Sequence, residues 1–167
     1  IHGSLSMGKA LEVSCNTYFI HLAQRIDPGF LLAVCRHFGL GESTELAPGL
    51  IAQSGNLPTL KELSSPAALA NFSFGQGSSL ATPLQIARIV SVIGNDGAAV
   101  TPSLVQGFTQ DGQTFSERTP SYASSQVLSP KTARKMQELM VGVVEDGSGR
   151  TARPMVGSAG GKTSSAQ

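Results

Sequence analysis

Apolar and polar positions follow a helical rhythm over the first forty residues. Leu5, Ala10, Leu11 and Val13 trace a short helix, which Ser14-Cys15-Asn16 interrupts. Serine and asparagine side chains bond backbone N–H groups and so favour helix caps over helix interiors. A second helix is expected to start there, with Ser14 and Asn16 on a partly exposed face and Cys15 turned inward. Tyr18, Phe19, Leu22, Ala23 and Ile26 carry its apolar spacing. Asp27-Pro28-Gly29 ends it, and Asp27 and Pro28 suit the N-cap and first position of a third helix running to Phe38, with Gly39 as its stop. Residues 40–66 lack a clear period and carry Gly41, Pro48, Gly49, Gly55, Pro58 and Pro66. They read as a long ordered loop with at most a short turn of helix. Phe72-Ser73-Phe74-Gly75-Gln76-Gly77 follows as a tight glycine turn.

Thr82-Pro83 then reads as N-cap and first residue of the strongest helix. Leu84, Ile86, Ala87, Ile89, Val90, Val92 and Ile93 make it apolar nearly all round, which predicts the most buried helix of the chain. Asn95-Asp96-Gly97 stops it. The period changes over residues 99–117, where Val100, Leu104, Val105, Phe108 and Phe115 surround Asp111-Gly112, a dipeptide favoured in type I′ hairpin turns. Ser129-Pro130 opens a last helix with Met136, Leu139, Met140, Val143 and Val144 on one face, and Asp146-Gly147-Ser148-Gly149 ends it. Gly160-Gly161-Lys162-Thr163-Ser164 reads as the start of a strand. The pattern therefore predicts an α+β chain, mainly helical over residues 1–97, with a hairpin, a helix and the start of a sheet strand over 98–167.

Composition narrows the function classes. A chain of 167 residues can bury a real core. Twelve Lys+Arg against 11 Asp+Glu leave a net charge of +1, too little to draw the chain to nucleic acid or an anionic membrane. Tryptophan is absent and no aromatic–basic stripe offers a stacking platform for bases, so no nucleic-acid partner is expected. Cys15 and Cys35 form no C-x-x-C, and His2, His21 and His37 are scattered, so free thiols are expected, with no metal and no cofactor. No apolar run approaches the length of about 20 residues that a membrane helix needs. The chain starts at Ile1 and stops at Gln167 without a terminating feature, so both ends read as cut and missing targeting signals are uninformative. Asn71-Phe72-Ser73 matches the glycosylation acceptor pattern by coincidence.

Three features in order carry more information than any of them singly. They are Ser14-Cys15-Asn16 at a helix start, Phe74-Gly75-Gln76-Gly77 followed by Ala81-Thr82-Pro83-Leu84-Gln85, and Gly161-Lys162-Thr163-Ser164-Ser165-Ala166-Gln167. The set resembles the transpeptidase domain of class B penicillin-binding proteins, whose second motif is S-x-N and third is K-T-G. The resemblance covers essentially the whole chain. It implies part of the penicillin-binding-protein/β-lactamase-like fold, whose five-stranded sheet draws strands from both sides of this stretch. It also implies a serine-type D-Ala-D-Ala transpeptidase that cross-links peptidoglycan stem peptides and is acylated by β-lactam antibiotics. Such a parent would be anchored by an N-terminal segment, act on the extracytoplasmic face of the bacterial membrane, and work there with cell-wall synthesis proteins.

By the same resemblance, Ser14 relays a proton, Asn16 hydrogen-bonds the substrate amide, and Lys162 supplies positive charge to the serine network and the substrate carboxylate. Thr163, Ser164 and Ser165 contact substrate. The hydroxyls of Thr163 and Ser165 lie near its carboxylate, and the N–H of Ser165 forms half of the oxyanion hole. The nucleophilic serine and its lysine base come from an S-x-x-K motif expected upstream of this chain, which alone is expected to be inactive. Ser6-Met7-Gly8-Lys9 spells S-x-x-K, but it lies too near Ser14 and reads as a decoy. Ser164 stands where the family usually has Gly, and Ser148 where its G-T-G-like turn has Thr. Two other readings stay open: a β-lactamase-like acyl-serine hydrolase, and a penicillin-sensing domain that binds without turnover.

Overall fold

Side-chain caps fix most helix boundaries in the computed structural model, which describes residues 2–117 and 125–164. Helix α1 (Met7–Glu12) starts where the Ser6 hydroxyl accepts from the Lys9 N–H. Helix α2 spans Asn16–Ala23. Asp27 caps α3 (Pro28–His37) by accepting from the Phe30 N–H at 2.9 Å. Helices α1 and α3 follow the polar-before-apolar pattern expected of helix starts, whereas α2 begins after Cys15 without a side-chain cap.

The segment 40–66 departs from the expected loop. Strand β1 (Thr44–Ala47) pairs antiparallel with β2 (Leu50–Ala52), and a short helix α4 (Leu60–Leu63) follows, closed by a Thr59–Glu62 capping box. Helix α5 (Pro66–Ser73) follows, and it takes in Phe72 and Ser73, which the sequence pattern had put in the glycine turn. The strands are too short to show a period. Their place is held from a distance by Gln85, whose amide donates to the carbonyls of Gly39, Glu42 and Ser54.

Gln85 belongs to α6 (Pro83–Gly94), where it also completes a capping box with Thr82. This helix buries Val92 and Ile93 but leaves Ile86 and Val90 each 50% exposed, so it is not the uniformly buried helix its composition suggested. It packs on α7 (Pro130–Glu145) and on β3 (Ala98–Ala99). The centre is α7 instead, with α1 and α6 both packed against it. Ala10, Val92, Ala133 and Val143 are fully buried. Full burial of a valine-sized side chain contributes about 1.5–3 kcal/mol.

Strand β3 pairs with β6 (Ser125–Gln126), and β4 (Gly107–Thr109) with β5 (Phe115–Glu117). The second hairpin stands where Asp111-Gly112 placed it, but its loop spans residues 110–114 and is no two-residue turn. The Asp111 carboxylate organises that loop by accepting from the N–H groups of Gln113 and Thr114 and from the hydroxyls of Thr109 and Thr114. These donors hold its pKa well below the usual carboxylate range. A 3₁₀ turn, Arg150–Ala152, follows α7. Residues 160–164, expected to begin a strand, form no ladder with the described residues. A strand needs a partner, and here Gly161 instead donates its N–H to the Met140 carbonyl of α7 at 3.1 Å.

Among the described residues, α1, α3, α5 and α6 end alike. The N–H groups of Cys15, Leu40, Gln76 and Gly97 reach back to the carbonyls of Ala10, Cys35, Asn71 and Val92 at 2.8–3.0 Å. The residue before each adopts a left-handed backbone: Ser14 (φ 53°), Gly39 (88°), Gly75 (81°) and Asp96 (49°). This is the Schellman ending, whose left-handed position ordinarily holds glycine because it lacks a Cβ.

Candidate active site

Ser14 is therefore the left-handed residue that closes α1, one position before the Cys15 N-cap of α2, rather than the cap expected from its chemistry. The turn buries Cys15, as the sequence pattern required, and leaves Asn16 as the first residue of α2. A non-glycine residue in this conformation costs about 1–2 kcal/mol, a strain that collects at functional positions.

Segment 160–164 lies along α7 and delivers Lys162 to that turn. The Lys162 ammonium donates to the Ser14 hydroxyl at 2.8 Å and to the carbonyl of Thr163 at 2.7 Å. The two motifs thus meet across 148 positions of sequence. Partial burial of the ammonium lowers the Lys162 pKa from its ordinary 10.5, because desolvation penalises the charged form. Among the described residues no carboxylate forms an ion pair with it to oppose that shift.

A cleft of about 730 Å³ opens beside this pair. Ser14, Asn16, Lys162, Thr163 and Ser164 line it, and the wall opposite comes from Phe74 and Gln76 in the turn after α5. The structure brings together every expected site residue that it describes; Ser165 lies outside the described residues. Phe74 and Gln76 were visible in the motif set but carried no assigned role. Ser148 was missed as a contact: its hydroxyl shares a 2.6 Å hydrogen bond with that of Thr163. The sequence marked Ser148 only as standing where the resembled family's G-T-G-like turn has Thr, in the Gly147-Ser148-Gly149 turn after the last helix.

Ser6 and Lys9 face other tasks. The Ser6 hydroxyl caps α1, and the Lys9 ammonium is paired with Glu12 at 2.8 Å. Neither lines the cleft. Among the described residues no group of three or more His, Cys, Asp or Glu side chains comes together to hold a metal ion, and no helix is long and apolar enough to cross a membrane.

The sequence profile of the penicillin binding protein transpeptidase domain matches residues 1–167. The chain belongs to this family. It is 31% identical to the peptidoglycan D,D-transpeptidase MrdA of Acinetobacter baumannii over 173 aligned residues, which cover 99% of this chain and 26% of the relative. It superposes on the D,D-transpeptidase domain of a peptidoglycan glycosyltransferase from Eggerthella lenta with a TM-score of 0.86 and 27% identity, over 96% of this chain and 42% of that one. An imipenem acyl-enzyme of penicillin-binding protein A from M. tuberculosis aligns with a TM-score of 0.74 and 30% identity, over 85% of this chain and 32% of that one. The penicillin-binding-protein fold expected from the motifs is thus the fold of this chain. The chain spans about a quarter of the length of this curated relative, MrdA.

Proposed function

We propose that this chain is the S-x-N and K-T-G-like part of a serine-type peptidoglycan D,D-transpeptidase. The observation that carries the reading is the hydrogen bond from Lys162 to Ser14 at the edge of a cleft also lined by Asn16 and Thr163. In the reaction, a serine hydroxyl outside this chain attacks the penultimate D-Ala carbonyl, forms an acyl ester and releases the terminal D-Ala. An amine of a second stem peptide then attacks the ester, closes the cross-link and returns the serine.

Within that cycle Ser14 passes the proton between the attacking serine and the leaving amine, and Lys162 holds the Ser14 hydroxyl in place while adding positive charge. Asn16 bonds the substrate amide, Thr163, Ser164 and Ser165 contact the terminal carboxylate end, and the Ser165 N–H contributes to the oxyanion hole. A β-lactam enters as a mimic of the D-Ala-D-Ala end and stays as the acyl ester. A hydrolase would need a base to activate water, and the described residues lining the cleft include no Asp or Glu. In this reading the parent acts on the outer side of the cytoplasmic membrane, where its wall substrate lies, and the resemblance adds an N-terminal anchor and wall-synthesis partners.

The test is intact-protein mass after incubation of the full-length protein with a reporter penicillin, followed by assay on a stem peptide with an acceptor amine. A long-lived adduct and cross-linked product support transpeptidation. Rapid loss of the adduct points to hydrolysis, and an adduct without any peptide product points to a sensor.

A further inference from the structure

We propose that Ser148 is a positioning residue that holds the Thr163 hydroxyl ready for the carboxylate of the substrate, an assignment that rests on the acyl-transfer reading above. Two anchors fix Ser148. Its N–H donates to the Glu12 carbonyl at 2.8 Å, two residues before Ser14. Gly147 lies so close to that strand of backbone that a Cβ there would sit 2.3 Å from the Glu12 oxygen. The turn after α7 is therefore clamped to the end of α1 through backbone that no larger residue at position 147 would permit.

From this clamp the Ser148 hydroxyl reaches Thr163 at 2.6 Å, while Lys162 grips the Thr163 carbonyl and Ser14. The contacts form a closed circuit: Glu12 to Ser14 along the chain, Ser14 to Lys162, Lys162 to Thr163, Thr163 to Ser148, and Ser148 back to Glu12. The circuit fixes the spacing of the two motif segments, between which the described residues form no strand ladder. A hydroxyl has one proton and two acceptor lone pairs. When Ser148 donates, the Thr163 oxygen accepts and its own proton points into the cleft, toward an incoming carboxylate. Without Ser148, the Thr163 side chain is free to rotate among its rotamers and its proton has no imposed direction.

The contribution is thus specific to carboxylate-bearing substrates, which separates it from a general structural role. The experiment measures second-order acylation of the full-length protein by a reporter penicillin with a free carboxylate and by its methyl ester. Ser148→Ala is expected to lower the rate about tenfold for the free acid and to leave the ester within about twofold, with unchanged melting temperature. Ser148→Thr, which keeps the hydroxyl, is expected to restore the free-acid rate. Equal rates for wild type and Ser148→Ala on both reporters overturn the assignment, as does an equal loss on both. A wild-type protein that neither reporter acylates overturns the acyl-transfer reading and the assignment with it.

Discussion

The ammonium of Lys162 bonds the hydroxyl of Ser14 at 2.8 Å while burial pulls its pKa below 10.5. In the proposed mechanism the charged form is the active one. Activity is then full below the depressed pKa and falls as pH rises through it, so the alkaline limb of the acylation profile lies below pH 10.5. The same desolvation costs stability while Lys162 is charged, and that cost is relieved as pH rises through the folded-state value. Lys162→Arg carries a group that stays charged throughout this range. The pH profile of that variant, measured on the full-length protein, is expected to lose the limb. A limb that persists unchanged belongs to another group and removes Lys162 from the charge-supplying role.

Ser14 occupies a left-handed position that Gly39 and Gly75 fill in the equivalent turns of α3 and α5. Replacing Ser14 with Gly relieves the Cβ clash, offset in part by the greater freedom of glycine in the unfolded chain. The variant is expected to be more stable by about 0.5–1 kcal/mol in urea unfolding, yet slower in acylation by about 10²–10⁴, the usual worth of a positioned proton relay. Gain of stability together with retained activity would remove Ser14 from the proton path.

These two residues also mark how far the sequence was legible. Ser14, Asn16, Lys162 and Thr163 were legible through the resemblance of two short motifs to those of penicillin-binding proteins, each motif being local in the sequence. The conformation of Ser14 was not, since serine chemistry signals a cap while the Schellman ending is set by where α1 stops. Helix starts at Asp27, Thr82 and Ser129 were readable from capping chemistry. The β1–β2 hairpin was hidden, because its strands are short and the Gln85 amide contacts that flank them lie 31–46 positions away in sequence. Ser148 was hidden for a similar reason: a hydroxyl in a glycine turn shows its partner only when the chain is folded.

Gln85 supplies a stability test of that account. It is buried, and its two amide protons go to the carbonyls of Gly39 and Ser54, with the Glu42 carbonyl sharing one of them at 3.3 Å. Gln85→Leu fills similar volume but strands these acceptors, and an unsatisfied buried polar group costs about 1–3 kcal/mol. A loss of about 2–4 kcal/mol is expected, with faster amide exchange in β1 and β2 before other strands. A variant of unchanged stability would show that water takes over these contacts.

Ser164 lines the cleft, at the motif position that the resemblance to K-T-G assigns to glycine. Its backbone is not left-handed, so the residue is under no conformational demand for glycine, and the only consequence of the serine is the bulk and polarity of its side chain. Ser164→Gly opens space for the substrate backbone. Acylation by bulky β-lactams is expected to rise about three- to tenfold, corresponding to roughly 0.6–1.4 kcal/mol of relieved contact, with little change for small ones. A uniform effect on large and small β-lactams would argue against a steric origin.

Ser6-Met7-Gly8-Lys9 offers the sharpest separation of motif from chemistry. A nucleophilic serine needs its base within hydrogen-bond reach, about 2.6–3.2 Å. The Ser6 hydroxyl instead accepts from the backbone N–H of Lys9 at 3.3 Å, and the Lys9 ammonium is held by Glu12 at 2.8 Å on the surface of α1. The pair is a helix cap and an ordinary surface ion pair. Ser6→Ala is therefore expected to cost about 1 kcal/mol of stability as a lost N-cap and to leave penicillin acylation of the full-length protein unchanged. The isolated 167-residue chain should take up no penicillin at Ser6 or any other serine. Peptide mapping of labelled protein decides the matter, since an adduct at Ser6 would make this motif the nucleophile and force a different site on the fold.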